Sequence, residues 1–348
     1  MKRKVLVIGD SYMNLQMSVP AAVKSSETVY GDKYAFHPCG SSAISAVTAA
    51  KSGADCAFCT RLGDDSNGEK LYNYYKSCGI DTTFVKKMPN VQTGLEFTAY
   101  DNLNALSYVA KGANVYLSKA DIDDAFSCCP DVMLVSHDYI ALSEANKDVP
   151  SMYNDASAPD FKPIVQPQTT RPENLALYAI NKALERGIEM VVEYTETTAM
   201  LPLEKVNHIK MVVISEELLR KVTGTVTTSI EKTLSALLAF SSKIHAKYYI
   251  VQKGNDKSFI YDGIHFEITQ APSVIAALSH QENQAMNQTY MGAMIAEYLS
   301  TKDILRACKY AQIVSLMTRA PYGIFQHVPN RAQVYKFLEE HDLSLDTI

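Results

Sequence analysis

The sequence predicts an α/β protein: a mostly parallel sheet flanked by helices, with a small antiparallel sheet beside it. Three observations carry this. Short apolar runs alternate with longer amphipathic ones almost from end to end, the pattern of repeated βα units. Two stretches, residues 12–37 and 93–110, interrupt that alternation with short β-like runs. Finally, 348 residues that are 47% hydrophobic supply a large core. No run approaches the ~18 apolar residues of a membrane-spanning helix.

The elements follow in order along the chain. Lys4 to Ile8 reads as a strand. The basic start Lys2-Arg3-Lys4 mimics a secretion signal, but the apolar run behind it ends at Asp10, too soon for one. Ser41 to Ser52 is an Ala-rich helix, Asp55 to Arg61 a strand, Ser66 to Ser77 a helix and Val132 to Ser136 a strand. A helix is expected over Pro172 to Arg186. Thr170 and Glu173 have capping-box spacing, Pro172 lies in the first turn, Leu177, Ile180 and Leu184 share a face, and Gly187 closes it. Strands follow at Glu189 to Tyr194 and Met211 to Ile214, then a helix over Thr228 to Ala246 and a strand over Tyr248 to Val251. Turns at Gly254-Asn255-Asp256 and Tyr261-Asp262-Gly263 separate strands near 250, 259 and 267, and the chain is helical from about Ala285. Gly94 to Tyr100 and Ala105 to Val109 are the β-like runs of the second irregular stretch. Residues 142–169, with Pro150, Pro159, Pro163 and Pro167 and no periodicity, read as a mobile surface insertion.

Charge and cysteine usage narrow the function classes. The net charge of −5, from 33 basic and 38 acidic residues without a Lys or Arg stripe, argues against nucleic acid or an anionic membrane as the main partner. Seven scattered cysteines, an odd number, fit reduced thiols in the cytoplasm. Cys56 and Cys59 have redox or metal spacing, but within a strand they point to opposite faces. Cys128 and Cys129 read as structural, and the sequon at Asn287 has no meaning in a chain that is not secreted.

Several motifs converge on one family. Cys39-Gly40-Ser41-Ser42-Ala43, running into Gly53-Ala54, resembles the first signature of the PfkB (ribokinase-like) carbohydrate kinases. Gly63-Asp64-Asp65, ending at Gly68, resembles the turn that follows it, and Thr93-Gly94 and Gly112-Ala113-Asn114 sit where ribokinases carry the same residues. Asn287-Gln288-Thr289-Tyr290-Met291-Gly292-Ala293 resembles the family's Gly-Asp-Thr-Phe-x-Gly-Ala. Order and spacing hold from residue 1 to about 340, except in the insertion. The resemblance implies one ribokinase-like domain over residues 1–348, with a β-lid built from 12–37 and 93–110. It also implies a sugar-like ligand between lid and sheet, ATP and Mg2+ along the C-terminal half, and a homodimer paired through the lid.

Site residues carried over from the family are altered. The family's general-base Asp falls on Gln288, and an amide cannot take a proton at neutral pH, a loss of about 10²- to 10⁴-fold. Its phosphate-binding Gly-Ala-Gly turn falls on Ala285-Met286-Asn287, where side chains surround a turn that glycine leaves open. The Asn-x-x-Glu motif of the magnesium–phosphate site falls on Ser215 to Leu218, with Glu216 and Glu217 able to compensate only in a shifted register. The sugar-gripping Asp falls on Asn14, and the Asn of the first signature on Ile44, beside Gly40 and Ser41. Gln252 and Gly254 match the nucleotide-side strand end, and Glu282 stands where a metal-associated Asp is expected. Two readings follow: a sugar kinase with weak or lost phosphotransfer, or a non-catalytic pseudokinase that binds a ligand or regulates.

Overall fold

The computed structural model describes residues 3–20, 28–101, 105–136, 174–196, 198–254, 256–272, 286–318 and 327–346. Thirteen strands are described: β1 (Lys4–Ile8), β2 (Tyr12–Ser18), β3 (Lys33–Cys39), β4 (Asp55–Gly63), β5 (Val85–Met88), β6 (Leu95–Tyr100), β7 (Ala105–Ala110), β8 (Val132–Val135), β9 (Glu189–Tyr194), β10 (Ile209–Ser215), β11 (Ala246–Lys253), β12 (Lys257–Tyr261) and β13 (Phe266–Gln270). Nine form one sheet in the order β13-β12-β11-β10-β9-β8-β1-β4-β5, parallel except at β12 and β13. The other four form a second sheet in the order β3-β2-β6-β7.

Helices cover both faces of the large sheet, so its strands are apolar on both sides rather than alternating. On one face lie α1 (Ser41–Lys51) and the C-terminal α7 (Met286–Thr301), α8 (Ile304–Met317) and α9 (Arg331–Glu340). On the other lie α3 (Lys119–Ala125), α4 (Leu175–Glu185), α5 (Glu216–Thr223) and α6 (Ile230–Ser241). Between β4 and β5 runs α2 (Ser66–Ser77), its N-terminus capped by Asp65. Cys56 and Cys59, both buried, belong to the cores on opposite faces of the sheet, as strand periodicity requires.

Three details differ from the sequence reading. Helix α4 starts at Leu175 behind Asn174, whose side chain accepts the Leu177 N–H; the Thr170–Glu173 box lies outside the described residues, as does the 142–169 insertion. Its buried stripe is Ala176, Ala179, Ile180 and Ala183, with the leucines at 177 and 184 only half-buried. Small residues there bring the helix close to the sheet. Helix α6 is shorter than expected, because Ser229 caps it and Ala246 is already paired with Ile209 in the sheet.

Chain order along the sheet reverses about β1, which lies between β4 and β8. In open α/β sheets ligands bind beyond the carboxyl ends of the strands at such a point. Here that edge carries Asp10 after β1, Ser136 after β8, the Glu193 end of β9, Ser215 of β10 and Gln252 of β11.

Candidate functional site

The cleft has two ends, and the tie between the two sheets fixes one of them. Thr93 and Asp65 hold each other closely. Thr93 donates its N–H and its hydroxyl to the Asp65 carboxylate, both at 2.7 Å, while Asp65 also caps Gly68 N at 2.8 Å. Burial alone would raise the Asp65 pKa, but these hydrogen bonds outweigh it and hold the carboxyl below its usual range. Asn114, fully buried, accepts from Ser11 N and donates to Ser11 O, both at 2.9 Å, and donates to Lys111 O at 2.8 Å. The motif residues Asp65, Thr93 and Asn114 therefore fasten the small sheet to the large one.

Above this tie lie the residues expected to bind the sugar-like ligand. Gly40 opens α1 at φ 112°, and a side chain there would meet the Asp10 carbonyl oxygen at 2.9 Å, so only glycine fits. Ser42 donates its N–H to Asp10 Oδ1 at 3.2 Å and shares a hydrogen bond with Ser136 at 2.9 Å. Ser41, the first residue of α1, is half-buried beside them. Asn14 is 5% exposed and donates from Nδ2 to Thr98 Oγ1 at 3.2 Å. Ile44 is elsewhere: 4% exposed, it packs in the core beneath α1.

The other end is a 520 Å³ cavity lined by Glu193, Ser215, Glu217, Leu218, Gln252, Asn287 and Gln288, among others. Its position depends on α7. A Cβ on Gly292 would lie 2.4 Å from the Ser45 carbonyl oxygen, so glycine lets α7 touch α1, and Ser45 Oγ then bonds Gln288 O at 3.2 Å. That contact sets Gln288 at the cavity wall, 9% exposed, with Nε2 at 3.3 Å from Glu193 Oε1. Ser215 caps α5 by accepting Leu218 N at 3.2 Å, which turns Leu218 into the cavity. Glu217 lines it too, whereas Glu216 is ion-paired to Lys253 at 2.6 Å. Gly254 lies in the β11–β12 turn at φ 57°, apart from the lining. Asn287 is exposed at the start of α7; Met286 begins the helix with its side chain undescribed, and Ala285 and Glu282 lie outside the described residues.

Glu193 was missed from the sequence. Its signal was present: an acidic residue near the carboxyl end of an apolar central strand has to face a cleft or a partner. The cavity's volume suits a nucleotide. Its charge does not suit a bare polyphosphate, because Glu193, Glu196 and Glu217 line it and the one lysine in the lining, Lys221, pairs with Glu196. Among the described residues no group of three or more His, Cys, Asp or Glu side chains is placed to hold a metal ion. No described helix is long and apolar enough to cross a membrane.

Comparison with known proteins agrees with this architecture. Residues 2–157 match the model of the pfkB family carbohydrate kinases. The chain is 25% identical to the ribokinase of Haemophilus influenzae over 349 aligned positions, covering 97% of this chain and 99% of that one. It is similar in fold to the ribokinase of Arabidopsis thaliana complexed with ribose and ATP, with TM-score 0.73, 16% identity, and 97% and 99% of the two chains covered. A ribokinase II structure from E. coli in complex with ATP and Mg2+ has TM-score 0.73 at 15% identity, covering 97% and 100%. The chain is thus similar to the pfkB carbohydrate kinases, most clearly over residues 2–157, and has the ribokinase-like fold.

Proposed function

We propose that this chain is a cytoplasmic, ribokinase-like protein whose cleft binds a sugar-like small alcohol, and whose ATP-dependent phosphotransfer is weak or lost. The observation that carries this is Gln288, whose amide nitrogen points at the Glu193 carboxylate from the place where a general base is required. Phosphoryl transfer rests on positioning, charge neutralisation and that base. Here the base position holds an amide, and the surrounding carboxylates oppose polyphosphate. ATP and Mg2+ are the cofactors of any residual activity, by analogy with the nucleotide complexes of the E. coli and Arabidopsis proteins. With phosphotransfer wholly lost, the chain is a ligand-binding or regulatory pseudokinase.

Residues 1–348 are read as one domain, with the four-stranded sheet as its lid. The outer face of that sheet exposes Tyr34 (69%), Phe36 (50%), Leu106 (55%) and Tyr108 (60%), an apolar patch that fits a second copy of the chain paired lid to lid. Sedimentation of Tyr34→Asp against the unaltered protein tests this: the dimer dissociates in the variant.

One observation favours a slower but working enzyme. Glu193 is a buried carboxylate in the cavity, 3.3 Å from the base position, and can itself accept a hydroxyl proton. Release of ADP across pentoses, hexoses and nucleosides separates the readings. The unaltered chain is expected near background, with Gln288→Asp restoring up to about 10²-fold. Turnover by the unaltered chain at the ~1–100 s⁻¹ of ordinary kinases, abolished in Glu193→Gln, makes Glu193 the base instead.

A further inference from the structure

The small sheet sorts its side chains by face. On β2, Met13, Leu15 and Met17 alternate with Tyr12, Asn14, Gln16 and Ser18, and the register carries this division across the strands. Asn14 lies opposite His37 on β3 and Glu96 on β6, while Gln16 lies opposite Thr98. The apolar face is the exposed one, so the polar face is turned toward Asp10 and the body of the protein.

Two hydrogen bonds on that polar face converge on Glu96. Cys39 donates from Sγ to Glu96 Oε2 at 2.9 Å, and Thr98 donates its hydroxyl to Glu96 Oε1 at 3.4 Å. Burial, Glu96 and Asp10 together push the Cys39 thiol well above its ordinary range, so it remains a donor. Thr98 also shares a 2.9 Å hydrogen bond with Ser107 and accepts from Asn14 Nδ2, which fixes the Asn14 amide and leaves Oδ1 buried without a partner. Gln16 Oε1, one step along the same face, is likewise buried without a partner. The open groups are thus acceptors, flanked by two carboxylates. Among the described strand residues of this face the one Lys or Arg is Lys33, exposed at the far end of β3. His37 adds no positive charge near pH 7, because burial and the neighbouring His327 lower its pKa.

We propose that the polar face of the small sheet binds a polyhydroxylated amine, held by Glu96 with Asn14 Oδ1 and Gln16 Oε1 accepting from its ammonium and hydroxyl groups. This rests on the cleft being the small-alcohol site proposed above, and it narrows the ligand to a cationic, donor-rich class. Neutral sugars satisfy the two amide oxygens but bring no positive charge to Glu96. Anionic sugars meet Glu96 and Asp10 with like charge.

Calorimetric titration of the full chain without nucleotide tests this independently of phosphotransfer. The probes are D-glucosamine, D-galactosamine and 1-amino-1-deoxysorbitol, each against its hydroxyl counterpart, with N-acetylglucosamine as an uncharged control. At least one amine is expected to bind about tenfold or more tightly than its counterpart, as a charge-assisted hydrogen bond provides. Glu96→Gln, which keeps the shape and the acceptor, is expected to erase that preference while thermal unfolding stays unchanged. Equal or tighter binding of the neutral counterparts overturns the proposal. So does an amine preference that survives Glu96→Gln, and so does failure of every amine to bind. ADP release, measured separately, reports on phosphotransfer alone.

Discussion

The two ends of the cleft are built differently. At the lid end, Asp65 with Thr93 and Asn114 with Ser11 make short, buried or part-buried contacts of 2.7–2.9 Å that span the two sheets. At the nucleotide end, Ser215 and Gln288 make single contacts at 3.2 and 3.3 Å around an open cavity. The first set holds backbone; the second faces the cavity. Residues of the first kind hold the fold together, so their presence speaks for architecture and not for chemistry. Residues of the second kind can change without disturbing the fold, and here they have.

That contrast can be broken by mutation. Asn114→Ala has the largest expected effect. It strands both polar groups of Ser11 in a buried hinge and should lower unfolding free energy by about 3 kcal/mol, read by urea denaturation. Asp65→Ala follows, at about 2 kcal/mol, through loss of the α2 cap and of the two Thr93 bonds. Its pH signature is specific. Because folding holds the Asp65 carboxyl below its usual range, its contribution is fully present above about pH 5. It is lost as pH falls through the folded-state value, so Asp65→Ala should show a shallower loss of stability between about pH 5 and pH 2 than the unaltered chain. Ser215→Ala removes one helix cap and should cost about 1 kcal/mol. Gln288→Ala should cost about 0.5 kcal/mol, since its side-chain bond to Glu193 is long at 3.3 Å. A reversed order, with the nucleotide-end substitutions more damaging than those at the hinge, would erase the distinction.

The same division explains what could be read from the sequence. Strands β1 and β9 are legible because apolar runs stop at Gly9-Asp10 and beyond Tyr194, and the parallel sheet follows from the alternation. Helix α4 starts behind Asn174 rather than Thr170 because Asn and Thr are both favoured caps, and spacing alone does not choose between them. Ile44 was placed at the ligand by motif position, but its side chain points along the helix face that meets the core. Glu193 and Glu96 were overlooked for a different reason. Each is one polar residue within a strand, and its meaning depends on which strand lies opposite and which face is turned inward. Register is a tertiary property, so the altered turn at Gln288 was visible in the sequence while its carboxylate partner was not.

The most direct test is a calorimetric titration of the unaltered chain with MgATP. If the nucleotide end has lost its phosphate chemistry, the isotherm should show a dissociation constant above about 1 mM. A saturable micromolar isotherm, with ADP release at the ~1–100 s⁻¹ of working kinases once a sugar or amino sugar is added, would contradict that account.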